Sequence, residues 1–208
     1  MLAGATGTSR SYAVPEGTVA GDLLLIWSYI ESAGTAKFAL SGWTNLAETG
    51  QTSEGWRAVC FALPNWDGKT TSYSLTWGGG SRRNSGAIEA IAGAETKTPI
   101  NAQSGAGFKE NASSKNAVVD GLTTTVDECL LLSGVFNDNG SLATPATGWT
   151  EDGDQADSPQ IAHQNIAPAK GSQAGVTHTL GIASINLTLM LAIAPSPLAK
   201  RRRFTSVG

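Results

Sequence analysis

The sequence predicts an all-β fold, an antiparallel β-sandwich of jelly-roll-like type built from two pseudo-repeated halves. First, its apolar segments are short and bounded by Gly, Pro or Asn turns, with no segment of helical period. Second, 25 glycines and only 15% charged residues are typical of many short strands and turns. Third, a leucine-rich run followed by a Gly-Trp-Thr corner occurs twice along the 208 residues.

The two copies are related by a constant spacing. An acidic residue, Asp22 or Glu128, precedes each leucine-rich run, and a Gly-Trp-Thr corner begins at Gly42 and again at Gly148. Both pairs are 106 residues apart (128 − 22 and 148 − 42). A nearly continuous apolar run is expected for a strand that is covered on both faces. We therefore predict two related halves packed as one sandwich.

The strands follow in order along each half. In the first half the apolar segments predict strands at 19–30, 56–63, 72–77 and 86–92. Tyr73, Leu75 and Trp77 alternate with polar residues, which predicts a half-exposed strand. In the second half the predicted strands are 130–136, 160–167, 177–180 and 186–194. The strands at the start of the second half align with those of the first half at a constant spacing, whereas the last strand does not keep that spacing.

These elements divide the chain into three parts. Residues 1–13 are small and polar and are interpreted as an N-terminal arm. A single sandwich domain is predicted over 14–198, with half one at about 14–98, a crossover at 99–121 and half two at about 122–198. Residues 199–208 form a basic C-terminal tail.

The net charge of −3 hides an asymmetry. Removing Lys200, Arg201, Arg202 and Arg203 leaves 10 basic residues against 17 acidic ones, so the body carries −7. We predict that these four cations bind an acidic protein surface. Nucleic acid is not the expected partner, because four charges on an acidic body make a small footprint and no aromatic platform accompanies them.

The sequence indicates a protein that is made in a cytosol and does not enter a membrane. It has no apolar run long enough for a transmembrane helix, and residues 1–7 lack the basic start and apolar core of a signal peptide. Cys60 and Cys129 are therefore expected to be buried, reduced thiols.

Searches for catalytic motifs end without a candidate. Gly68-Lys69-Thr70 has the ending of a phosphate-binding loop, but Leu63 stands where that motif needs glycine. No Gly-x-Ser-x-Gly nucleophile motif occurs. His163 and His178 lie on different predicted strands without an acidic or cysteine partner, and we expect both on partly exposed faces. The prediction is a non-enzymatic protein without a cofactor.

Two binding chemistries have candidate residues. Asp152, Asp154 and Asp157 in an acidic loop could offer oxygen ligands to calcium, although their order differs from an EF-hand loop. Six tryptophans suggest carbohydrate binding. Trp66 is the candidate glycan contact, because its turn at 64–68 is expected to expose it, whereas Trp43 is better explained by packing at its corner.

The segment from Val14 through the Asp22 run, the Gly42 corner and the strands at 56–63 and 86–93 resembles β-sandwich modules of tailed-phage structural proteins. The second half carries the same pattern, so the resemblance spans roughly 14–195. It implies a virion protein without catalytic residues to carry over.

We therefore expect a non-enzymatic bacteriophage virion structural protein, a capsid decoration or accessory protein held by its terminal arms. Its expected partners are other virion proteins, either major capsid or tail subunits, in a homo-oligomer or a lattice. One alternative is a phage tail or tail-fibre component. The other is a carbohydrate-binding β-sandwich module.

Overall fold

A computed structural model describes residues 5–31, 37–49, 55–137, 143–153, 160–167, 169–197 and 206–207. Regular structure in this part of the chain consists of β-strands, and every pairing between them is antiparallel. The all-β, antiparallel fold class is thus confirmed. No helix among these residues is long and apolar enough to cross a membrane.

The strands of the first half are β1 Ala5–Gly7, β2 Ser9–Ala13, β3 Leu23–Glu31, β4 Phe38–Ala39, β5 Thr44–Glu48, β6 Trp56–Leu63, β7 Ser72–Trp77 and β8 Arg82–Ile91. The remaining strands are β9 Ile100–Gln103, β10 Lys109–Val119, β11 Leu122–Thr124, β12 Cys129–Asn137, β13 Ala143–Thr144, β14 Thr150–Gly153, β15 Gln160–Ala167, β16 Gly171–Gln173, β17 Val176–Ile193 and β18 Ser206–Val207.

Each half contributes one large sheet and one small sheet. The first half orders its large sheet β1-β8-β3-β6-β5, with β18 added to β8, and its small sheet β2-β7-β4. The second half orders its large sheet β10-β17-β12-β15-β14, with β9 and β13 added to β17, and its small sheet β11-β16. The order β8-β3-β6-β5 corresponds to β17-β12-β15-β14. The jelly-roll-like connection and the duplication of the halves stay predictions.

The two large sheets share one core. Side chains of β3 and β12 meet there, namely Leu23, Leu25, Trp27 and Tyr29 with Leu130, Leu132 and Phe136. The outer face of each large sheet packs against the small sheet of its own half, through Leu24 and Ile26 in one case and Leu131 in the other. Because successive strand residues point to opposite faces, a strand covered on both faces is apolar throughout. The sheets are thus stacked small, large, large, small, with the two large sheets packed on each other at the centre.

Trp27 occupies the centre of this shared core and is 0% exposed. It lies over Gly134, where an added Cβ would stand only 2.7 Å from Cζ3 of the indole. Where the two large sheets meet, therefore, one presents its largest side chain and the other presents none.

The predicted N-terminal arm is only partly correct. The described part of residues 1–13 forms β1 and β2, which pair with β8 and β7. Tyr12 is 4% exposed and belongs to the core under the small sheet. A single buried aromatic residue among small polar residues does not produce the alternating apolar pattern of a strand. The sequence therefore did not predict β1 and β2. The domain therefore begins before residue 14.

The crossover predicted at 99–121 is also corrected. It contains β9 and β10, and β10 is the edge strand of the second large sheet, paired along β17. Asn111, Ala117 and Val119 are the buried residues of β10, while the others are half-buried or exposed. An edge strand with mostly polar side chains has the composition of a linker. The strands predicted at 177–180 and 186–194 are likewise one strand, β17.

Candidate functional site

Both described ends of the chain lie on one edge of β8. Ala5–Gly7 pairs with residues 82–84, and Ser206–Val207 pairs with residues 90–91. The opposite edge of β8 is paired with β3, so β1 and β18 share the outer edge. Between them lies the backbone of residues 85–89. This edge of the first large sheet is where the two terminal strands converge.

A cleft of about 1020 Å³ opens beside the point where the chain leaves β17. Pro195 bridges to Ala94, and the N–H of Ser196 donates to the carbonyl of Gly93 at 2.8 Å. The residues lining the cleft are Glu95, Thr98, Ile100, Asn101, Thr125, Val126, Asp127, Glu128, Lys170, Ala194, Pro195 and Pro197. Residues 195 and 196 thus lie just past the end of β8, and Ser206 pairs with Ile91 at that same end of the strand.

The cleft is acidic. It is lined by three carboxylates, those of Glu95, Asp127 and Glu128, against one ammonium group, that of Lys170. Glu95 accepts hydrogen bonds from the N–H groups of Thr98 at 2.6 Å and Lys97 at 3.0 Å. The Thr98 N–H bond is the main cause that lowers the pKa of Glu95 below its ordinary value, so this carboxylate stays ionised at neutral pH.

Asp127 and Glu128, the other two lining carboxylates, lie in the turn before β12. Asp127 accepts a hydrogen bond from the N–H of Lys170 at 2.8 Å, which ties the turn before β12 to the turn before β16. Glu128 holds a backbone φ of 60°, a conformation that non-glycine residues seldom adopt. Such strain is concentrated at functional positions more often than elsewhere.

The calcium site predicted at Asp152, Asp154 and Asp157 stays a prediction. Asp152 lies in β14, whereas Asp154 and Asp157 fall outside the described residues. Within the described ranges, no group of three His, Cys, Asp or Glu residues could hold a metal ion. The predicted partner-binding residues Lys200, Arg201, Arg202 and Arg203 also fall outside the described part of the chain.

Ser133 and His178 form a buried pair in the second half. Oγ of Ser133 lies 2.8 Å from Nε2 of His178, and both residues are 0% exposed. Nδ1 of His178 accepts a hydrogen bond from the N–H of Ala146 at 3.2 Å, which places the imidazole proton on Nε2. The nitrogen that faces Ser133 therefore donates and cannot take a proton from the hydroxyl. The prediction that His178 lies on a partly exposed face is wrong.

Both cysteines are buried, as predicted. Burial raises the pKa of Cys60 well above its usual value, with the nearby Glu89 as a smaller cause. Burial also raises the pKa of Cys129 to about 11. A thiol with a raised pKa is a poor nucleophile at neutral pH.

The prediction that Trp66 is exposed is wrong, since it is only 8% exposed. Its backbone N–H donates to Asp22, and its carbonyl accepts from Gly21, both at 2.9 Å. Its indole N–H donates to the carbonyl of Thr70 at 3.1 Å. These bonds fold the turn back onto the sheet, so that the ring packs under the small sheet. Trp43 is buried, as its corner position predicted.

A second, smaller cleft of about 250 Å³ lies between the Gly42 corner and the turn at 64–68. The residues lining it are Ser41, Gly42, Trp43, Leu63, Asn65, Trp66, Asp67 and Tyr73. The rings of Trp43 and Tyr73 meet edge to face, with centroids 4.9 Å apart. Oδ1 of Asp67 accepts from the N–H groups of Lys69 and Thr70, which lower the pKa of this exposed carboxylate.

Searches of protein-family models, of curated proteins and of solved structures found no match to this chain. The candidate sites therefore rest on the geometry of this chain. Sequence reasoning missed the acidic cleft because Glu95 and Asp127 are far apart in the chain. The spacing of Glu95 and Thr98 was a local signal for a capped turn, but it says nothing about a cleft.

Proposed function

We propose that this protein is a non-enzymatic structural component of a bacteriophage virion, a capsid decoration or accessory protein that contacts major capsid or tail subunits. The observation that carries the proposal is the pairing of both terminal strands, β1 and β18, with one edge of β8. The acidic cleft begins just past the β18 end of β8, where Ala94 bridges Pro195. The resemblance of residues 14–195 to modules of tailed-phage structural proteins supplies the phage context.

Acidic and basic residues are concentrated in separate parts of this protein. The cleft carries three carboxylates and one ammonium group, and Pro197 on its wall precedes a segment with four consecutive cations at 200–203. A surface with separate acidic and basic parts can pair with a neighbouring copy, or with a shell of matching charge, through complementary electrostatics. A phosphate backbone would be repelled by the cleft. This layout favours a protein partner over nucleic acid.

The shared core suits a static scaffold. Side chains from β3 and β12 interlock between the two large sheets, and Tyr29 contacts Phe136 edge to face at 5.4 Å. Closely packed interiors resist deformation. The two halves thus present their surfaces at a fixed relative orientation, as a subunit in a regular lattice requires.

The proposal is tested on particles of the phage or prophage that encodes the chain. We expect the protein in the mass spectrum of purified particles, and immunogold labels spread over the capsid in electron micrographs. Labels confined to the tail would assign the chain to a tail or tail-fibre component instead. Absence from purified particles would overturn the virion role.

Replacing Lys200, Arg201, Arg202 and Arg203 with glutamine should reduce occupancy on particles by about tenfold or more, and the loss should be greatest at low salt. The substitutions remove the electrostatic attraction between these cations and the acidic surface of a partner protein. They leave Ser206 and Val207 unchanged, so that β18 still pairs with β8. The melting temperature of the free protein should be unchanged. Occupancy is measured by quantitative mass spectrometry of particles reconstituted with each variant.

A control variant removes three cations elsewhere by replacing Lys37, Lys69 and Lys115 with glutamine; these lysines are exposed and do not line the acidic cleft. This variant should occupy particles like the unaltered protein. Equal loss in both variants would show that overall charge, and not the segment at 200–203, governs incorporation.

A further inference from the structure

The two Gly-Trp corners pack on aromatic rings of different chemistry. The ring of Trp43 meets that of Tyr73 edge to face, with centroids 4.9 Å apart. The ring of Trp149 meets that of His178 in the same manner, with centroids 5.7 Å apart. A tyrosine ring has no basic nitrogen, whereas a neutral imidazole can take up a proton. Acid can therefore change the contact at the second corner and leave the contact at the first corner as it is.

The second corner is also tied to the imidazole by a hydrogen bond. The N–H of Trp149 donates to the carbonyl of Ala146 at 3.0 Å, which closes the turn at 146–149. The N–H of Ala146 in turn donates to Nδ1 of His178 at 3.2 Å. On the other side of the ring, Nε2 lies 2.8 Å from Oγ of Ser133 in β12. One buried imidazole thus connects the corner to β17 and to β12.

A proton added to this ring has one place to go. Nε2 already carries a proton, so the second proton goes to Nδ1. An imidazolium donates from both nitrogens, so its Nδ1–H would face the N–H of Ala146, which is also a donor. The contact with Ser133 survives this change, because a hydroxyl oxygen can accept. Protonation therefore abolishes the hydrogen bond that holds the corner and keeps the one that holds the ring.

No charged group on the neighbouring elements offsets this effect. Apart from His178, β17 and β13 contain no titratable side chain, and β12 contains only Cys129. The charged residues of the adjacent strands are half-buried or exposed, namely Lys109, Glu110 and Lys115 of β10 and Glu151 of β14. Burial alone lowers the pKa of His178 to about 4. The ring is thus neutral at pH 7 because water is excluded from it.

We propose that His178 is an acid-sensitive switch that releases the corner at 146–149 from β17 as the pH falls below 6.5, while the corner at 40–43 stays closed. An imidazole that opening exposes to water titrates near 6.5, whereas the closed one titrates near 4. The open corner therefore gains a proton between these two pH values. The closed corner is fully favoured above pH 6.5 and loses this advantage as the pH falls towards 4. Opening would expose Trp149, which is half-buried at pH 7.

The test is amide hydrogen exchange of the purified full-length protein at pH 7 and pH 5, followed by NMR. After correction for the effect of pH on the exchange chemistry, protection of the Trp149 N–H is expected to fall by about twentyfold. The matched amide is the N–H of Trp43, which donates to the carbonyl of Leu40 at 3.4 Å. Its protection should change by less than about twofold. The virion role does not enter this experiment, so the two proposals can fail separately.

His178→Asn replaces the imidazole by a group that does not titrate and whose oxygen can still accept from Ala146. The fall in Trp149 protection should be absent in this variant and should persist in Tyr73→Phe, the control at the first corner. The proposal is overturned if Trp149 protection does not change with pH, or if it falls equally in His178→Asn. An equal fall at both corners would also overturn it, since the opening would then be global. If His178→Asn does not fold, the comparison of the two amides in the unaltered protein decides the matter.

Discussion

Replacing Trp27 with alanine is expected to lower the free energy of unfolding by about 4 kcal/mol. The indole is 0% exposed, lies between the two large sheets and contacts Phe108 edge to face at 6.5 Å. Its loss would leave a cavity that two sheets cannot close by local movement. Trp27→Phe should cost much less, because it also removes an indole N–H that is buried without a partner in the described structure.

The contact between Trp27 and Gly134 predicts that substitutions at these two positions have non-additive effects on the free energy of unfolding. Gly134→Ala alone should cost about 2 kcal/mol, since the new Cβ would stand 2.7 and 2.8 Å from two atoms of the rigid indole ring. In a Trp27→Leu background the added methyl should be neutral or stabilising, because it enters space that the smaller side chain leaves. Urea unfolding of the two single variants and the double variant gives the coupling energy.

Gly78→Ala is the control for this cycle. Gly78 is exposed, and an added Cβ there would meet nothing within 4 Å. Its unfolding free energy should stay within about 0.5 kcal/mol of the unaltered protein. Additive effects of the Trp27 and Gly134 substitutions would show that the two positions do not pack as described.

Lowering the pH from 7 to 5 is expected to remove about 2 kcal/mol of stability through His178 alone. Burial lowers the pKa of this histidine to about 4, whereas an unfolded histidine titrates near 6.5. Between pH 6.5 and pH 4, therefore, this histidine is protonated in the unfolded state and neutral in the folded state. This stabilisation is complete above pH 6.5 and is lost as the pH falls towards 4.

The pH range from 7 to 5 isolates this histidine from the carboxylates. Asp67 and Glu95 have lowered pKa values, so their contributions are lost only at more acidic pH. His178→Gln should flatten the dependence of stability on pH between 7 and 5, whatever its effect on stability at pH 7. His163→Gln serves as the comparison. A slope that persists in His178→Gln would assign the proton uptake to another group.

Much of the strand content could be predicted because burial on two faces leaves a strong sequence signal. The segments at 56–63, 72–77 and 160–167 form strands with the predicted bounds. By contrast, β1, β2 and β10 carry few buried side chains. Their place is fixed by backbone pairing with neighbours, and backbone hydrogen bonds leave no trace in composition.

The candidate sites were harder to predict than the strands. Trp66 had the composition of an exposed turn, but its exposure is decided by backbone bonds to residues 21 and 22, more than forty positions away. His178 has no charged neighbour in the sequence, yet the chain folds Ser133 and Ala146 against its two nitrogens. Contacts between residues so far apart in the chain depend on the order of the strands in each sheet. The repeated leucine-rich run and Gly-Trp-Thr corner do not predict that order.

The meeting of Trp27 with Gly134 has a consequence for how the halves recognise each other. If the first large sheet packed on a second copy of itself, two indoles would compete for one space. If the second large sheet did so, two glycines would leave a void. Only the unlike pair fills the layer. The shared core therefore specifies pairing of the first large sheet with the second over pairing of either sheet with a copy of itself.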